Sequence, residues 1–558
     1  MRRPAALLAV PLALLLAACA ASRGAAPAAA AAGPAPLAGA PAAGVAAPAA
    51  SAGPSAAGPW WNGAVFYEVF VRSFLDSNGD GKGDLPGLIA RLDHLNDGDP
   101  ATTTDLGVDA LWLMPVFASP SYHGYDVTDY ETVNPDYGTN ADLERLFAEA
   151  HRRGMRVIVD LVLNHTSDRH PWFVESAASP ASPRRDWYVW RADDPGWGQP
   201  WNPGQGTWVA RNGAFYYAIF WSGMPDLNYR NPAVREEAKR IARLWLSRGA
   251  DGFRLDAVRH LVETGPGPGQ SGNPETHAFL REFAAAVKAA KPDALLVGEV
   301  WSHTLDIADY HAPGELDVLF DFPLATAIVE GLKGGDGAGI ATVLEEVRRT
   351  YPPGAVDAPF LTNHDQVRVA AQLQGDAARL RLAAAILLTL PGAPFLWQGE
   401  ELGMRQAANG DDEFKRTPMP WDGTPGAGFT SAARPWFRLA PGHEAANVAA
   451  ESADPGSLLS RYRALIRARH ASEALRRGDL AVVPGTPREV LAFVRRGGGD
   501  TVLVAHNLGP GEAAVAVPGL AGATAEAILA DAGAALARDG DGWRVRLPAR
   551  ASGLWRVR

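Results

Sequence analysis

The chain has 558 residues, more than one ordinary domain needs, and its 47% hydrophobic content with 17 Trp is typical of a soluble protein with a large buried core. Its 52 basic and 62 acidic side chains give a net charge of −10. This balance argues against a basic surface for nucleic acid or anionic lipid, so we expect a neutral substrate and no nucleic-acid partner.

The N-terminus has the pattern of an export signal. Two arginines precede an apolar run over residues 5–18, which is shorter than the roughly twenty residues of a membrane-spanning helix. The run ends in Leu-Ala-Ala-Cys, which resembles the lipobox of bacterial lipoproteins, and we therefore predict a signal peptide over 1–18. Lipidation of Cys19 would anchor the exported protein in the cell envelope, at the periplasmic or the outer surface. The alternative is an ordinary signal cleaved after a small residue.

Residues 19–58 are almost entirely Ala, Pro and Gly, a composition with too few apolar side chains to form a core. We predict a tether there, and we expect the ordered protein to begin near Trp60. Cys19 is the only cysteine, so the sequence excludes an intramolecular disulfide.

A glycine-rich loop then places oxygen ligands at alternate positions, which suits a hard cation such as calcium. The alternate positions are occupied by Asp76, Asn78, Asp80, Lys82 and Asp84. The loop begins like an EF-hand loop, but its twelfth position is glycine rather than glutamate, so a complete EF-hand is not expected. A solvated acidic turn is the alternative to a calcium site.

Strand-like and helix-like stretches alternate from residue 60 onward, which predicts a (β/α)8 TIM barrel over 59–163 and 231–475. Amphipathic stretches between the strands include 141–153, 232–248, 277–290, 340–351 and 377–389. The eight predicted strands are 65–70, 110–115, 157–163, 252–257, 295–300, 318–322, 360–363 and 395–398.

Residues 164–230 are far longer than an ordinary strand-to-helix loop, which predicts a small irregular domain inserted after the third strand. This stretch is rich in tryptophan, and some of these rings could stack on sugars while others fill a local core. Residues 476–558 contain short β-rich runs between Gly and Pro turns, which predicts a C-terminal antiparallel β domain.

Three acids stand alone at the ends of predicted strands: Asp256, Glu299 and Asp365. A parallel barrel brings the carboxyl ends of its strands together, so we expect these acids to share one active site. Arg254 points to the same side of its strand as Asp256 and would keep that carboxylate ionised. Apolar neighbours of Glu299 would raise its pKa, so that it stays protonated to a higher pH.

The motifs at the strand ends together resemble the α-amylase family of glycoside hydrolases (family 13). They occur in the family's order from residue 60 to the C-terminus, which makes the resemblance highly specific. The matching motifs are DLVLNH (160–165), MPDLN (224–228), GFRLDAVRH (252–260), GEVW (298–301), TNHD (362–365) and GEELGM (399–404). The resemblance implies that 164–230 is domain B and that the tail is domain C.

The resemblance implies a retaining mechanism, in which Asp256 is the nucleophile, Glu299 the general acid/base and Asp365 a transition-state-stabilising carboxylate. It also implies a set of substrate-binding residues: Tyr125, Asp126, Arg254, His165, Arg259, His260 and His364. For Asp126 two alternatives stay open, contact with Arg254 or with a sugar hydroxyl. Arg259 departs from the lysine common in α-amylases, which leaves the leaving-group contact in doubt. In part of this family the loop at 76–84 binds calcium, and the resemblance implies as ligands the side chains of Asp76, Asn78, Asp80 and Asp84 and the Lys82 carbonyl.

Within the family, Ala257 favours α-1,4 over α-1,6 linkages. MPDLN lies between the QPDLN of oligo-1,6-glucosidase relatives and the MPKLN of neopullulanase relatives, which suggests an intermediate subgroup with exported bacterial α-amylases. We expect a monomeric α-amylase that acts on starch or maltooligosaccharides. The alternatives are an α-glucosidase, a transglycosylating or isomerising relative, and a non-catalytic glucan-binding or transporter-accessory relative.

Overall fold

The computed structural model describes residues 58–558, and their central feature is an eight-stranded parallel sheet. The predicted signal peptide, Cys19 and the tether up to residue 57 lie outside the described residues. The strands are β1 (Phe66–Val69), β2 (Ala110–Leu113), β3 (Arg156–Leu161), β4 (Gly252–Leu255), β5 (Leu295–Gly298), β6 (Val318–Phe320), β7 (Val356–Ala358) and β8 (Phe395–Trp397). Their hydrogen-bonded order is β7-β6-β5-β4-β3-β2-β1-β8, and a parallel bridge from Phe360 to Phe395 closes the barrel.

The seventh strand lies earlier than the sequence pattern indicated. β7 pairs with β6 through residues 356–358, whereas the predicted strand at 360–363 was wrong and contributes only the Phe360 bridge. Pro359 has no N–H to donate, so regular pairing with β6 ends before it. Asp357 lies between buried Val356 and Ala358, and this polar residue hid the strand from the hydrophobic pattern.

Helices surround the barrel, and the predicted amphipathic stretches coincide with several of them. Capping side chains define their starts: Asn231, Asp321 and Asp376 each accept a backbone N–H of the following helix. The α-helices are Leu85–Ala90, Leu92–Leu95, Asn140–Arg152, Pro171–Ala178, Pro232–Ser247, Pro274–Ala290, Thr304–Asp309, Phe322–Gly334, Gly337–Thr350, Val369–Gln372, Ala377–Thr389, Val448–Ala453, Leu458–His470 and Glu473–Arg477. No helix within residues 58–558 is both long and apolar enough to cross a bilayer.

The barrel interior has an apolar floor, built from side chains that include Phe66, Ile158 and Phe395. Side chains alternate along a strand, so the residue two positions further on faces the same interior side. Glu68 follows Phe66 in this way, and Asp160 follows Ile158. The polar site therefore stands directly on the floor, toward the carboxyl ends of the strands.

Residues 164–230 carry a three-stranded antiparallel sheet between β3 and the helix Pro232–Ser247. Its strands are Trp190–Arg191, Trp208–Arg211 and Ala214–Tyr217. Most of the tryptophans here pack locally; Trp208, for example, is buried against Tyr217. Trp201 packs on Phe220 of the same segment, and its ring also lies 5.5 Å from the ring of His260 near the barrel mouth.

Two antiparallel sheets follow the last helix, and together they form the C-terminal β domain. The five-stranded sheet contains Asp479–Val482, Val490–Gly497, Asp500–Asn507, Ser552–Val557 and Ala525–Ala530. The three-stranded sheet contains Ala513–Val517, Gly542–Leu547 and Ala535–Asp539. A further hairpin pairs Phe117–Ala118 with Asp129–Val133 beside the barrel mouth. The fold is the predicted TIM barrel with a C-terminal antiparallel domain.

Candidate active site

One guanidinium lies between two of the three predicted catalytic acids. Arg254 Nη1 is 2.6 Å from Asp256 Oδ1, and Arg254 Nη2 is 3.0 Å from Glu299 Oε2. Asp160, on β3, approaches the same Nη1 to 3.0 Å. The Arg254 side chain is 1% exposed, so its charge acts with little screening by water. The strand ends thus bring Asp256 and Glu299 to a single buried cation, as the strand pattern led us to expect.

The surroundings of Glu299 suit a proton donor. Burial raises the pKa of Glu299, Arg254 opposes this increase, and the charge of Asp256 reinforces it. Glu299 Oε2 also accepts the Ala257 N–H at 3.0 Å, where Ala257 has a left-handed backbone conformation with φ of 48°. Two donors on Oε2 leave Oε1 as the oxygen that can carry the proton.

Asp365 lies between two positively charged groups. Its Oδ1 is 2.7 Å from Arg416 Nη2, and its Oδ2 is 3.2 Å from His364 Nε2. Burial alone would raise the pKa of Asp365, but the charges of His364 and Arg416 hold it well below its ordinary value. Asp365 therefore remains an ionised acceptor, as a carboxylate that binds sugar hydroxyls must.

His364 is fully buried, and both of its ring nitrogens are engaged. Nε2 lies 2.6 Å from the Tyr125 hydroxyl, and Nδ1 lies 2.5 Å from the Glu68 carboxylate. Burial alone would lower the pKa of His364, yet Asp365 and Glu68 raise it to about 10. The Tyr125 hydroxyl donates to Asp160 at 3.1 Å, and its ring stacks on the imidazole. Hydrogen bonds and ring stacking therefore link Glu68, His364, Tyr125 and Asp160 on this side of the site.

The other predicted substrate residues line the mouth on the side of residues 164–230. His165 is buried, and within residues 58–558 its Nε2 has no hydrogen-bond partner, so it is available to a ligand. Burial lowers the pKa of His165 and that of His260, the latter to about 3. His260 Nδ1 lies 2.9 Å from the Gln270 carbonyl, while Arg259 donates to the Trp301 carbonyl. These histidines are neutral at physiological pH.

Asp126 does not contact Arg254, so the first of the two alternatives for this residue was wrong. Its carboxylate instead accepts hydrogen bonds from the hydroxyls of Ser119, at 2.7 Å, and Ser121. The register between β3 and β4 explains the difference, because it pairs Asp160 directly with Arg254. Contact between Asp126 and a sugar hydroxyl remains a prediction.

The sequence pattern did not single out Glu68 or Arg416. Glu68 carries a weak signal, since it is a lone acid in an otherwise apolar strand. Arg416 carries none, because it stands in a loop 51 residues after Asp365 and reaches it only through the folding of that loop. Lys415 donates to the Asp365 carbonyl from the same loop.

The predicted calcium loop is a series of turns that its own carboxylates stabilise. Asp76 accepts the backbone N–H groups of Gly79 and Gly81 at 2.7 and 2.8 Å, and Asp84 accepts that of Gly87. Within residues 58–558, no three Asp, Glu, His or Cys side chains converge as metal ligands. The donors are nevertheless hard oxygens, the type that calcium prefers. Their chemistry fits calcium, and calcium binding remains a prediction.

Similarity to known proteins agrees with this geometry. Residues 68–478 match the family model described as the alpha amylase catalytic domain. The chain is 42% identical over 454 residues to Alpha-amylase 3 of Dictyoglomus thermophilum, covering 81% of this chain and 85% of that protein. It is 36% identical over 504 residues to Trehalose synthase/amylase TreS of Mycobacterium tuberculosis, covering 80% and 82%.

The fold agrees as well. A crystal structure of the alpha-amylase from H. orenii matches with a TM-score of 0.80 at 38% identity, covering 89% of this chain and 99% of that one. The family model matches most of the chain, and both relatives are well above 30% identical over about four fifths of it. These similarities agree with the barrel and with the acids at its mouth. The chain therefore belongs to the α-amylase family of glycoside hydrolases.

Proposed function

We propose that this glycoside hydrolase cleaves α-1,4-glucosidic bonds of starch or maltooligosaccharides by double displacement, with retention of the anomeric configuration. The observation that carries the proposal is the contact of one guanidinium with both Asp256 and Glu299. Retaining enzymes need their two carboxyl groups about 5–5.5 Å apart. Two carboxyls held by the terminal nitrogens of a single arginine lie close together, which favours retention over inversion.

In the first step, Asp256 attacks the anomeric carbon while Glu299 gives its proton to the departing glycosidic oxygen. Arg254 stabilises the ionised nucleophile, and burial raises the pKa of Glu299, which favours the protonated form that donates. Asp365 accepts hydrogen bonds from hydroxyls of the same sugar, which strengthen as positive charge develops on its ring. The product is a covalent glucosyl–Asp256 ester and a free reducing-side saccharide.

In the second step, Glu299 is ionised and removes a proton from water, which attacks the same anomeric carbon from the leaving-group side. The ester bond to Asp256 breaks, and the proton returns Glu299 to its starting form. Two inversions at one carbon give net retention. His364, buried with its pKa raised, keeps a positive N–H beside Asp365 throughout the cycle.

Three features support a preference for α-1,4-glucans. Ala257 follows the nucleophile, MPDLN belongs to the intermediate subgroup pattern, and a relative that shares 42% of its residues is named Alpha-amylase 3. A time course of products from soluble starch, with their anomeric configuration measured by NMR, tests the proposal. We expect α-configured oligosaccharides. β-configured products, or no release from starch, would contradict it.

An α-glucosidase or a transglycosylating or isomerising enzyme is the second candidate, because another relative is named a trehalose synthase/amylase. Such an enzyme would transfer or rearrange small maltooligosaccharides rather than shorten a polymer. Initial rates on starch and on maltose at matched concentrations of glucose units separate the two. Faster turnover of maltose, or formation of a new disaccharide from it, would favour this second function.

We also propose that calcium binds the loop at 76–84, with the side chains of Asp76, Asn78, Asp80 and Asp84 and the Lys82 carbonyl as ligands. A ligand that binds only the folded protein stabilises it in proportion to RT ln(1 + [L]/Kd). Removal of calcium with a chelator should therefore lower the melting temperature, and added calcium should restore it. An Asp80→Asn variant should respond less. An unchanged melting temperature would exclude the site.

We also propose that lipidated Cys19 attaches the exported protein to a membrane of the cell envelope. Export alone would not attach the protein to a membrane, whereas lipid on the lipobox cysteine would. Expression of the full chain in a bacterium with a labelled fatty acid should give a labelled, membrane-associated enzyme, and Cys19→Ser should release it unlabelled. A soluble, unlabelled wild-type protein would show that Cys19 is incidental.

A further inference from the structure

A buried carboxylate without an assigned role lies behind His364. Glu68 is 2% exposed, and its Oε1 is 2.5 Å from His364 Nδ1. It stands on β1, one interior layer above Phe66 of the apolar floor. A carboxylate at this depth is costly unless it meets a partner of opposite charge, and His364 is its side-chain partner.

The partners of both ring nitrogens favour a doubly protonated His364. Nε2 lies 2.6 Å from the Tyr125 hydroxyl and 3.2 Å from Asp365 Oδ2, and each of these oxygens can accept a hydrogen bond. Burial raises the pKa of Glu68 and the charge of His364 opposes this increase, and an ionised Glu68 can only accept from Nδ1. An imidazole that donates from both nitrogens is a cation.

Charged and titratable groups approach this imidazole from several elements of the barrel. Two are acids in direct contact, Glu68 and Asp365, and Trp112 and Trp397 pack against the ring at 5.6 and 6.3 Å between centroids. Removal of Glu68 withdraws one of the two contacting negative charges. The charged and titratable groups are Glu68, Tyr125, Asp160, Arg254, Asp365 and Arg416.

We propose that Glu68 is a positioning residue that keeps His364 doubly protonated, so that a charged Nε2–H faces Asp365 over the working pH range. The idea deepens the proposed function, on which it rests for the role of Asp365. A neutral His364 could donate from one nitrogen only, and Asp365 would lose the cation that stabilises it on the side opposite Arg416. Glu68 itself touches neither substrate nor reacting atoms.

The test is the pH profile of Glu68→Gln, which keeps the shape and hydrogen-bonding capacity of the side chain but removes its charge. We expect kcat/KM on a maltooligosaccharide within about 3-fold of wild type at pH 5 and at least about 10-fold lower at pH 8, since one pKa unit changes the protonated fraction tenfold. The alkaline limb of the profile should move to lower pH, and Glu68→Asp should restore part of it.

A second measurement does not depend on catalysis. Nitrogen-15 NMR of the His364 ring, assigned with a His364→Asn variant, should show an imidazolium that does not titrate between pH 5 and 9 in the wild type. In Glu68→Gln the same ring should titrate within this window. If that variant does not fold, Glu68→Asp takes its place in the titration, and a neutral His364 near pH 7 in the wild type overturns the proposal in either case.

Glu315→Gln is the matched control, since Glu315 is a buried glutamate 2.8 Å from His277 and lies outside the strand-end motifs. It should lower stability and leave the pH profile unchanged. A folded Glu68→Gln with the wild-type profile and a non-titrating His364 would refute the inference. Failure of the wild type to cleave α-glucans would refute the proposed function instead, while the NMR titration would still test the inference.

Discussion

Two pairs of neighbouring carboxyl groups stand on adjacent barrel strands, and they differ in their countercharge. Asp256 and Glu299 follow β4 and β5 and face the barrel interior, where both contact Arg254. Asp321 directly follows β6 and Asp357 lies on β7, and the charge of Asp321 raises the pKa of Asp357. Among residues 58–558, neither of these two forms a salt bridge with a lysine, arginine or histidine.

The countercharge decides what each pair can do. Without a cation beside them, both carboxyls resist ionisation: burial raises the pKa of Asp321 to about 7 and that of Asp357 well above its ordinary value. In the catalytic pair, Arg254 donates to Asp256, while burial raises the pKa of Glu299 and Arg254 opposes that increase. Carboxyl pairs on the same fold therefore have different properties, because only one pair contacts a buried cation.

The largest expected effect is the loss of either member of the catalytic pair. Glu299→Gln should lower kcat on starch by about 10²–10⁴-fold, because general acid catalysis typically contributes that much. It should retain more activity on α-glucosyl fluoride, whose leaving group needs no proton, whereas Asp256→Asn should lose both activities. Asp321→Asn is the matched control and should keep wild-type kcat. Equal activity of Glu299→Gln and wild type on starch would refute the assignment.

Removal of Arg254 should leave the catalytic pair without a buried cation, as the Asp321–Asp357 pair is. Arg254→Gln should reduce kcat/KM by about 10²–10³-fold, the usual loss when a buried electrostatic donor is removed. It should also cost about 3–5 kcal/mol in the free energy of unfolding, because buried carboxylates lose their cation. Steady-state kinetics on a maltooligosaccharide and urea unfolding measure the two effects. Wild-type kcat/KM in a folded Arg254→Gln variant would refute this role for Arg254.

Asp321→Asn should change how stability depends on pH. The folded-state pKa of Asp321, about 7, lies above the unfolded value of about 4, so the folded protein binds more protons between these limits. Its contribution to stability therefore falls as pH rises from about 4 to about 7, by up to about 1.4 kcal/mol per pH unit. In Asp321→Asn this decline should shrink, while the amide oxygen still caps the Leu324 N–H. Urea unfolding at pH 4.5, 6 and 7.5 measures it.

The smallest expected effect concerns the tyrosine beside the acid pair. Tyr351 has a buried hydroxyl without a hydrogen-bond partner among residues 58–558. Tyr351→Phe should therefore change the free energy of unfolding by less than about 1 kcal/mol, since no hydrogen bond is lost. A larger destabilisation, measured by urea unfolding at pH 6, would mean that this hydroxyl donates to Asp357 and is a third member of the cluster.

Much of the fold could be predicted, because its signals are local. Strand and helix periodicity indicated the barrel, and the predicted helices coincide with helices such as Pro232–Ser247 and Ala377–Thr389. The seventh strand was misplaced for a local reason too, since its central Asp357 points away from the interior and breaks the apolar run. The sequence pattern cannot distinguish an acid that points out of the barrel beneath the helices from an acid that is exposed to solvent.

The sequence by itself determined the barrel, the three acids and their delivery to one mouth, because period-2 and period-3.6 patterns and strand-end positions are written within short segments. Only the tertiary structure decided which charges surround each acid. Asp160 meets Arg254 across 94 residues, Arg416 meets Asp365 across 51, and Glu68 meets His364 across 296. Ionisation depends on distances in space, and strand register and loop packing set those distances.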